Sequence, residues 1–264
     1  MGAQTGIAWA DSTLNFWIGC RKVSPGCTHC YAEKLVRDRM GRVFTEVRRT
    51  TPENWAKAYK WDREAAASGE RRFVFTCSLS DFFIEEADEW RADAWKVVRD
   101  TSHLTWLVLT KRPERIAEHL PGDWGEGYPN TWLGVSGETM AHIEARAPYL
   151  AQLPAALRFL SAEPWLETNP RSALHPNGDS PDFYIATLGV FDWVILGGES
   201  GAACRPMNAE SARLVRDACA SLRIPFFFKQ LGGHPDKRSH EKAVLDGRTW
   251  TEVPVPCQTT EAPT

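Results

Sequence analysis

The sequence predicts an α/β protein built on a parallel (β/α) barrel, complete or partial, of about six to seven strands. Three observations lead there. Short apolar runs alternate with helical patterns along the chain, the order of a parallel sheet with right-handed crossovers. The runs are continuously hydrophobic rather than alternating, as strands covered on both faces are. Each of the six later runs ends in polar or charged residues, where parallel barrels and sheets bind ligands.

The elements follow in chain order. A first strand is expected near 15–18 and a helix over 31–40. Thr51-Pro52-Glu53 brings a capping hydroxyl and a proline at the first helical position, so a helix runs through Trp55, Ala58 and Tyr59 toward residue 67. Strands follow at 73–77, 105–109, 131–135, 157–160, 193–196 and 225–228. Three further helices lie between them, over 88–99, 140–153 and 208–222. The last is the clearest, with Asn208 as cap and Leu214, Val215, Ala218 and Leu222 at helical spacing. A flat doubly wound sheet would satisfy the same pattern. Two irregular stretches, 121–130 and 168–181, read as surface loops. A single barrel-like domain is expected over 1–253, with a frayed tail over 254–264.

Composition narrows the classes. Of 264 residues, 43% are apolar and 25% charged, as in ordinary soluble domains. A net charge of −3 excludes a globally basic nucleic-acid binder, so any such surface is local, as at 37–42 or 48–49. No apolar run approaches the roughly 20 residues of a membrane helix, so no membrane is expected. The N-terminus lacks the charged-then-apolar order of a secretory signal, and a cytoplasmic location is expected. Seven cysteines in a reducing compartment favour metal binding or catalysis over a disulfide framework.

Three of those cysteines, Cys20, Cys27 and Cys30, fall in one short stretch, GCRKVSPGCTHCYAEK. A closed zinc site wants a fourth ligand, which Cys77 or Cys204 would supply only by chance of folding. A zinc deaminase would need an upstream His-x-Glu, and no histidine precedes His29. A cuboidal iron–sulfur cluster held by three thiolates leaves one iron open to an exogenous ligand. The amine and carboxylate of S-adenosyl-L-methionine would fill that position.

The strand-end residues frame a ligand site. Lys111-Arg112-Pro113 enters an expected helix, where cations oppose the helix dipole unless an anion or a carboxylate such as Asp81, Glu138 or Glu163 meets them. Gly197-Gly198-Glu199-Ser200-Gly201 allows close backbone approach, and Arg205 follows.

Cys-Thr-His-Cys-Tyr-Ala, with Tyr31 after the last cysteine, resembles the cluster loop of radical S-adenosylmethionine enzymes. The common spacing there is Cys-x3-Cys-x2-Cys, whereas this chain has Cys-x6-Cys-x2-Cys. The Gly-Gly-Glu motif of that superfamily follows its second strand, so its role is not carried to Gly197-Gly198-Glu199. A wider resemblance covers nearly the whole chain. Phe16-Trp17-Ile18-Gly19-Cys20, Ser24-Pro25-Gly26-Cys27, Ser80-Asp81-Phe82-Phe83 and Leu109-Thr110-Lys111-Arg112-Pro113 look like blocks of one phage and prophage family. So do Trp132-Leu133-Gly134-Val135-Ser136, Leu160-Ser161-Ala162-Glu163-Pro164, Gly197 to Gly201 and Phe227-Phe228-Lys229-Gln230. That family has a three-cysteine motif and no known function. The resemblance implies a bacterial or phage-infected cell and a radical-enzyme-like architecture.

The expected function is a radical S-adenosylmethionine enzyme. A [4Fe-4S] cluster on Cys20, Cys27 and Cys30 would cleave S-adenosyl-L-methionine to a 5′-deoxyadenosyl radical. A nucleic-acid base or nucleotide is the expected substrate, for modification or repair, and a partner protein is allowed for. Ser80, Asp81, Ser136, Glu138, Glu163, Gly198 and Glu199 are the candidates for holding the cofactor. Lys111, Arg112 and Lys229 are candidates for its carboxylate or a substrate phosphate. No residue is assigned to the chemical step. The alternatives are a metal-stapled module that binds nucleic acid or protein without catalysis, and a non-radical barrel enzyme with another metal.

Overall fold

A computed structural model describes residues 5–167, 181–201, 203–232 and 243–255. Its frame is one sheet of seven parallel strands: β1 (Ser12–Leu14), β4 (Arg72–Thr76), β5 (Leu104–Thr110), β6 (Thr131–Ser136), β7 (Leu157–Ala162), β8 (Trp193–Gly197) and β9 (Phe226–Gln230). They are paired in that order, and all six pairings are parallel. A doubly wound sheet reverses direction at a switch point. Here every crossover steps the same way, which curls the sheet and leaves an open half-barrel of the expected class.

Two apolar clusters separate the faces. The outer one joins strand residues such as Val74, Trp106, Val108, Leu133 and Leu196 to the helices. These helices are α2 (Pro52–Ser68), α3 (Asp88–Asp100), α4 (Met140–Ala151), α5 (Pro181–Leu188) and α6 (Ala209–Leu222). The inner cluster holds Trp9, Phe75, Leu107, Trp132, Phe159, Trp193, Ile195 and Phe227. Trp106, Leu107 and Val108 alternate outer, inner, outer along β5, as a pleated strand requires. The Trp9 ring lies 4.7 Å from Phe75 on β4 and 6.4 Å from Trp193 on β8. One side chain reaches strands that far apart only because the sheet is concave.

The helices obey their local chemistry. Thr51 is extended ahead of Pro52 at the start of α2, and Gly69 ends that helix at φ +67°. Asn208 caps α6, its side-chain oxygen accepting from the backbone N–H groups of Glu210 and Ser211. Both expected N-termini are therefore observed.

Three expectations change. The first sheet strand is Ser12–Leu14, ahead of the expected 15–18, and Trp17–Ile18 forms β2, an antiparallel ribbon with β3 (Arg48–Arg49). Asn15 turns the chain between them. Its side-chain oxygen accepts from Leu79 N at 2.8 Å, and its carbonyl accepts from Thr50 Oγ1 at 2.7 Å and Asn54 Nδ2 at 2.9 Å. After β5 no α-helix forms; Pro113–Arg115 and Ala117–His119 are single 3₁₀ turns, cut short before Pro121. The loop at 121–130 is not simply a surface loop. Trp124 and Tyr128 are buried in it, and Trp124 Nε1 donates to Pro154 O at 2.9 Å. The loop expected at 168–181 lies outside the described residues up to 180, as does the expected tail from 256 onward.

Candidate functional site

The cysteine loop crosses the carboxyl end of the sheet. Backbone bonds from Gly19 N to Leu79 O (3.0 Å) and Cys20 N to Phe44 O (2.9 Å) fix its start. Pro25–Cys27 forms one 3₁₀ turn, with proline at its first position. Cys30 then caps α1 (Tyr31–Met40), which ends at Gly41 in the left-handed region. Cys20, Cys27 and Cys30 all line one cavity of about 230 Å³, and none is in a disulfide.

Three strand-end carboxylates anchor that loop, Asp81 and Glu199 through arginines and Glu138 through direct contact. Asp81 is the first. It accepts from Thr110 Oγ1 at 2.7 Å and from the backbone N–H of Lys111 at 2.9 Å, and it pairs with Arg112 at 3.1 Å. Arg112 in turn donates to Arg21 O at 2.9 Å and to Cys20 Sγ at 3.8 Å.

Glu138 is the second, and it is fully buried. It pairs with Lys111 and, at 2.9 Å, with Arg146, and accepts the Ser24 hydroxyl at 2.5 Å. Burial alone would raise its pKa; Lys111 and Arg146 overcome it and hold the carboxyl at about 2. Gly26 rests directly on this carboxylate, where a Cβ would overlap Glu138 Cγ.

Glu199 is the third. It accepts from the backbone N–H and Nε of Arg205, at 2.8 and 2.9 Å, and meets His29 Nδ1 at 3.0 Å. Its carboxyl also sits at about 2: burial opposes this, and the Arg205 hydrogen bonds outweigh it. Arg205 Nη2 reaches Pro25 O at 3.1 Å, tying the same hub to the loop.

Across the cavity, Glu163 accepts from Lys229 Nζ at 2.6 Å and Trp9 Nε1 at 3.0 Å. The β8–β9 register slips between Leu196 and Gly197, so Leu196 faces Phe228 while Gly197 faces Gln230. Lys229 is the extra residue of that bulge, the kind of irregularity that re-aims a side chain beside a site.

The strand-end residues expected from the sequence come together, with one exception. Ser80, Asp81, Lys111, Arg112, Ser136, Glu163, Gly198, Glu199 and Lys229 line the cavity with the cysteines. Glu138 lies beneath the loop instead and does not line the cavity. The Ser80 hydroxyl is committed to Gly19 O, and Arg146 Nη1 takes the Ser136 carbonyl at 2.7 Å. Gly198 is required by packing, because a Cβ there would overlap Leu231 O. Cys77 also lines the cavity, buried at the end of β4 with φ +54°, uncommon for a residue with a side chain. Cys204 does not line it.

Sequence reading missed several contributors. Ile7 and Trp9 supply the apolar end of the cavity from a segment ahead of the first strand, with no local signal. Ser24 and Arg146 meet at Glu138, a convergence that no spacing announces.

The donor set suits an iron–sulfur cluster. Burial, and then Asp81, push the Cys20 thiol up to about 12, and burial raises Cys30 as well. Both must lose protons to ligate, so metal loading releases them. Among the described residues, no group of three or more His, Cys, Asp or Glu is placed to hold a metal ion. Cluster ligation asks for something else: free thiolates facing one space, each on its own iron. Cys20, Cys27 and Cys30 bring three free thiols to the lining of one space.

A family model described as a protein of unknown function, DUF5131, matches residues 4–254. The chain belongs to that family. No curated protein matches it. Among solved structures, this DUF5131 chain is similar to a spore photoproduct lyase mutant with bound AdoMet and dinucleoside spore photoproduct. The TM-score is 0.50 at 15% identity, over 79% of this chain and 61% of that one. A second spore photoproduct lyase structure, complexed with the dinucleoside spore photoproduct, gives 0.48 at 15% identity over 77% and 59%. The chain thus spans about three fifths of the length of these neighbours. At that identity the likeness is one of fold. Among the described residues, no helix is long and apolar enough to cross a membrane.

Proposed function

We propose that this chain is a radical S-adenosylmethionine enzyme, with a [4Fe-4S] cluster on Cys20, Cys27 and Cys30. One observation carries the reading: three free cysteines from one loop face a cavity at the carboxyl ends of a parallel half-barrel. The fold likeness to an AdoMet-binding lyase supports it. Such a cluster supplies an electron that cleaves the sulfonium carbon–sulfur bond of S-adenosylmethionine, leaving a 5′-deoxyadenosyl radical.

The chain's own residues divide the remaining work. Asp81 and Glu199 hold the loop through Arg112 and Arg205, and Glu138 holds it through Ser24. Lys229 is the cation best placed to meet a carboxylate or phosphate, since its bulged side chain and Glu163 are both partly open to the cavity. Lys111 and Arg112 are already committed to Glu138 and Asp81, which favours a positioning role for both. Ser136, Glu163 and Glu199 remain the residues for the nucleoside or methionine part. Ile7, Trp9, Phe75 and Leu109 make an apolar end that excludes water from a reactive intermediate.

The substrate is a nucleic-acid base or nucleotide, modified or repaired in a bacterial or phage-infected cytoplasm. The dinucleoside in the lyase structure with bound AdoMet supports that class. The basic patches contribute less than their sequence suggests, because Arg37, Arg48 and Arg49 pair with Asp38, Glu46 and Asp93.

Anaerobic purification tests this directly. A brown protein with about four irons per chain, releasing 5′-deoxyadenosine under reductant, is expected. A colourless protein with one tight zinc, unchanged by reductant, would be the metal-stapled binding module instead.

A further inference from the structure

The three cysteines are not equivalent. Arg112 is nearly buried, at 8% exposed, on the turn that follows β5. Asp81, at 6%, orients it through the 3.1 Å pair and is itself held by Thr110 and Lys111 N. The guanidinium then turns to the cysteine loop. Nη2 donates to Arg21 O at 2.9 Å and Nη1 to Cys20 Sγ at 3.8 Å. Among the described residues, the side-chain contact of Cys27 is neutral, the Ser24 hydroxyl at 3.8 Å. Among the hydrogen bonds of the described residues, Cys20 alone of the three receives a guanidinium.

We propose that Arg112 is a positioning residue that holds Cys20 at the cavity and raises the reduction potential of the cluster on that loop. The inference rests on the cluster reading above. Reduction adds one electron and therefore one negative charge; no bond forms or breaks. A cationic N–H donor beside a ligating sulfur stabilises the more negative state. Asp81 makes no hydrogen bond to Cys20, so it aims the cation rather than replacing it. Removing Arg112 also leaves the Asp81 charge near the sulfur, which pushes the potential the same way.

The test is an anaerobic redox titration with dithionite, followed by electron paramagnetic resonance, with iron counted for each protein. Arg112→Gln is expected to load iron and to raise the oxidised-to-reduced ratio at a fixed potential about tenfold, or about 59 mV for one electron. Arg112→Lys keeps the charge but loses the fork, so its shift is in the same direction and smaller. A purely structural role would change iron content without moving the potential. Equal potentials at equal iron content overturn the proposal and leave the cluster reading standing. If Arg112→Gln retains no iron, Arg112→Lys decides: a lowered potential supports the role and an unchanged one overturns it. A wild-type protein that takes up no iron overturns both.

Discussion

Ser24 donates its hydroxyl to Glu138 at 2.5 Å, across 114 positions of sequence. This contact ties the long first cysteine gap to the sheet. The residues between Cys20 and Cys27 reach from the β2 side of the loop down to a buried carboxylate at the end of β6. Gly26 then sits on that carboxylate.

Gly26→Ala puts a methyl group into Glu138 and must lift the turn that carries Cys27. Iron per reconstituted chain is expected to fall at least twofold. The thermal midpoint of the metal-free protein should move little, because the loop can give way where the core cannot. Full iron loading in this variant would reject the anchoring role of the contact.

Cys27→Ala leaves two thiolates and is expected to abolish cluster binding. Iron should drop to background with an unchanged far-ultraviolet circular dichroism spectrum. Retained iron and activity would refute the ligand assignment.

Acid should destabilise the protein through Glu138. Its folded pKa, about 2, lies below the ordinary 4.5, so its contribution is complete above about pH 4.5 and is lost as pH falls toward 2. The shift corresponds to ~3 kcal/mol. Urea midpoints at pH 7, 4 and 3 measure it. Glu138→Gln should flatten that slope and cost about 3–5 kcal/mol at pH 7, since Lys111 and Arg146 are left without their partner.

Lys229→Met removes the cavity's half-open cation. Its pair with Glu163 is partly exposed, at 26% and 14%, so stability should change by no more than about 1 kcal/mol. The dissociation constant for S-adenosylmethionine, measured by calorimetry, is expected to rise about tenfold, the equivalent of about 1.4 kcal/mol. An unchanged constant would remove Lys229 from the cofactor site.

Much of the sheet was readable because buried parallel strands announce themselves as apolar runs. Six of the seven were found that way. β1 was not, since Ser-Thr-Leu holds a single apolar residue and its place is decided by register with Val74 to Thr76. The cysteine trio and the strand-end charges were legible for a similar reason: the topology sends every strand end to the same side. Glu138 shows the limit. Its sequence position equals that of the other strand-end acids, yet it turns under the loop toward Arg146 on α4 and Lys111 after β5. That choice depends on which cations the folded chain brings within reach.

By itself, then, the sequence determined the sheet class, most of the helices and the residues that meet at the strand ends. These follow from periodicity, capping and chain order, which are local. The tertiary structure decided which charged groups face the cavity and which are consumed in holding it. It also brought Trp9 to the inner face and Arg112 to Cys20. Those outcomes are pairings between distant segments, and a buried charge takes the partner that packing supplies.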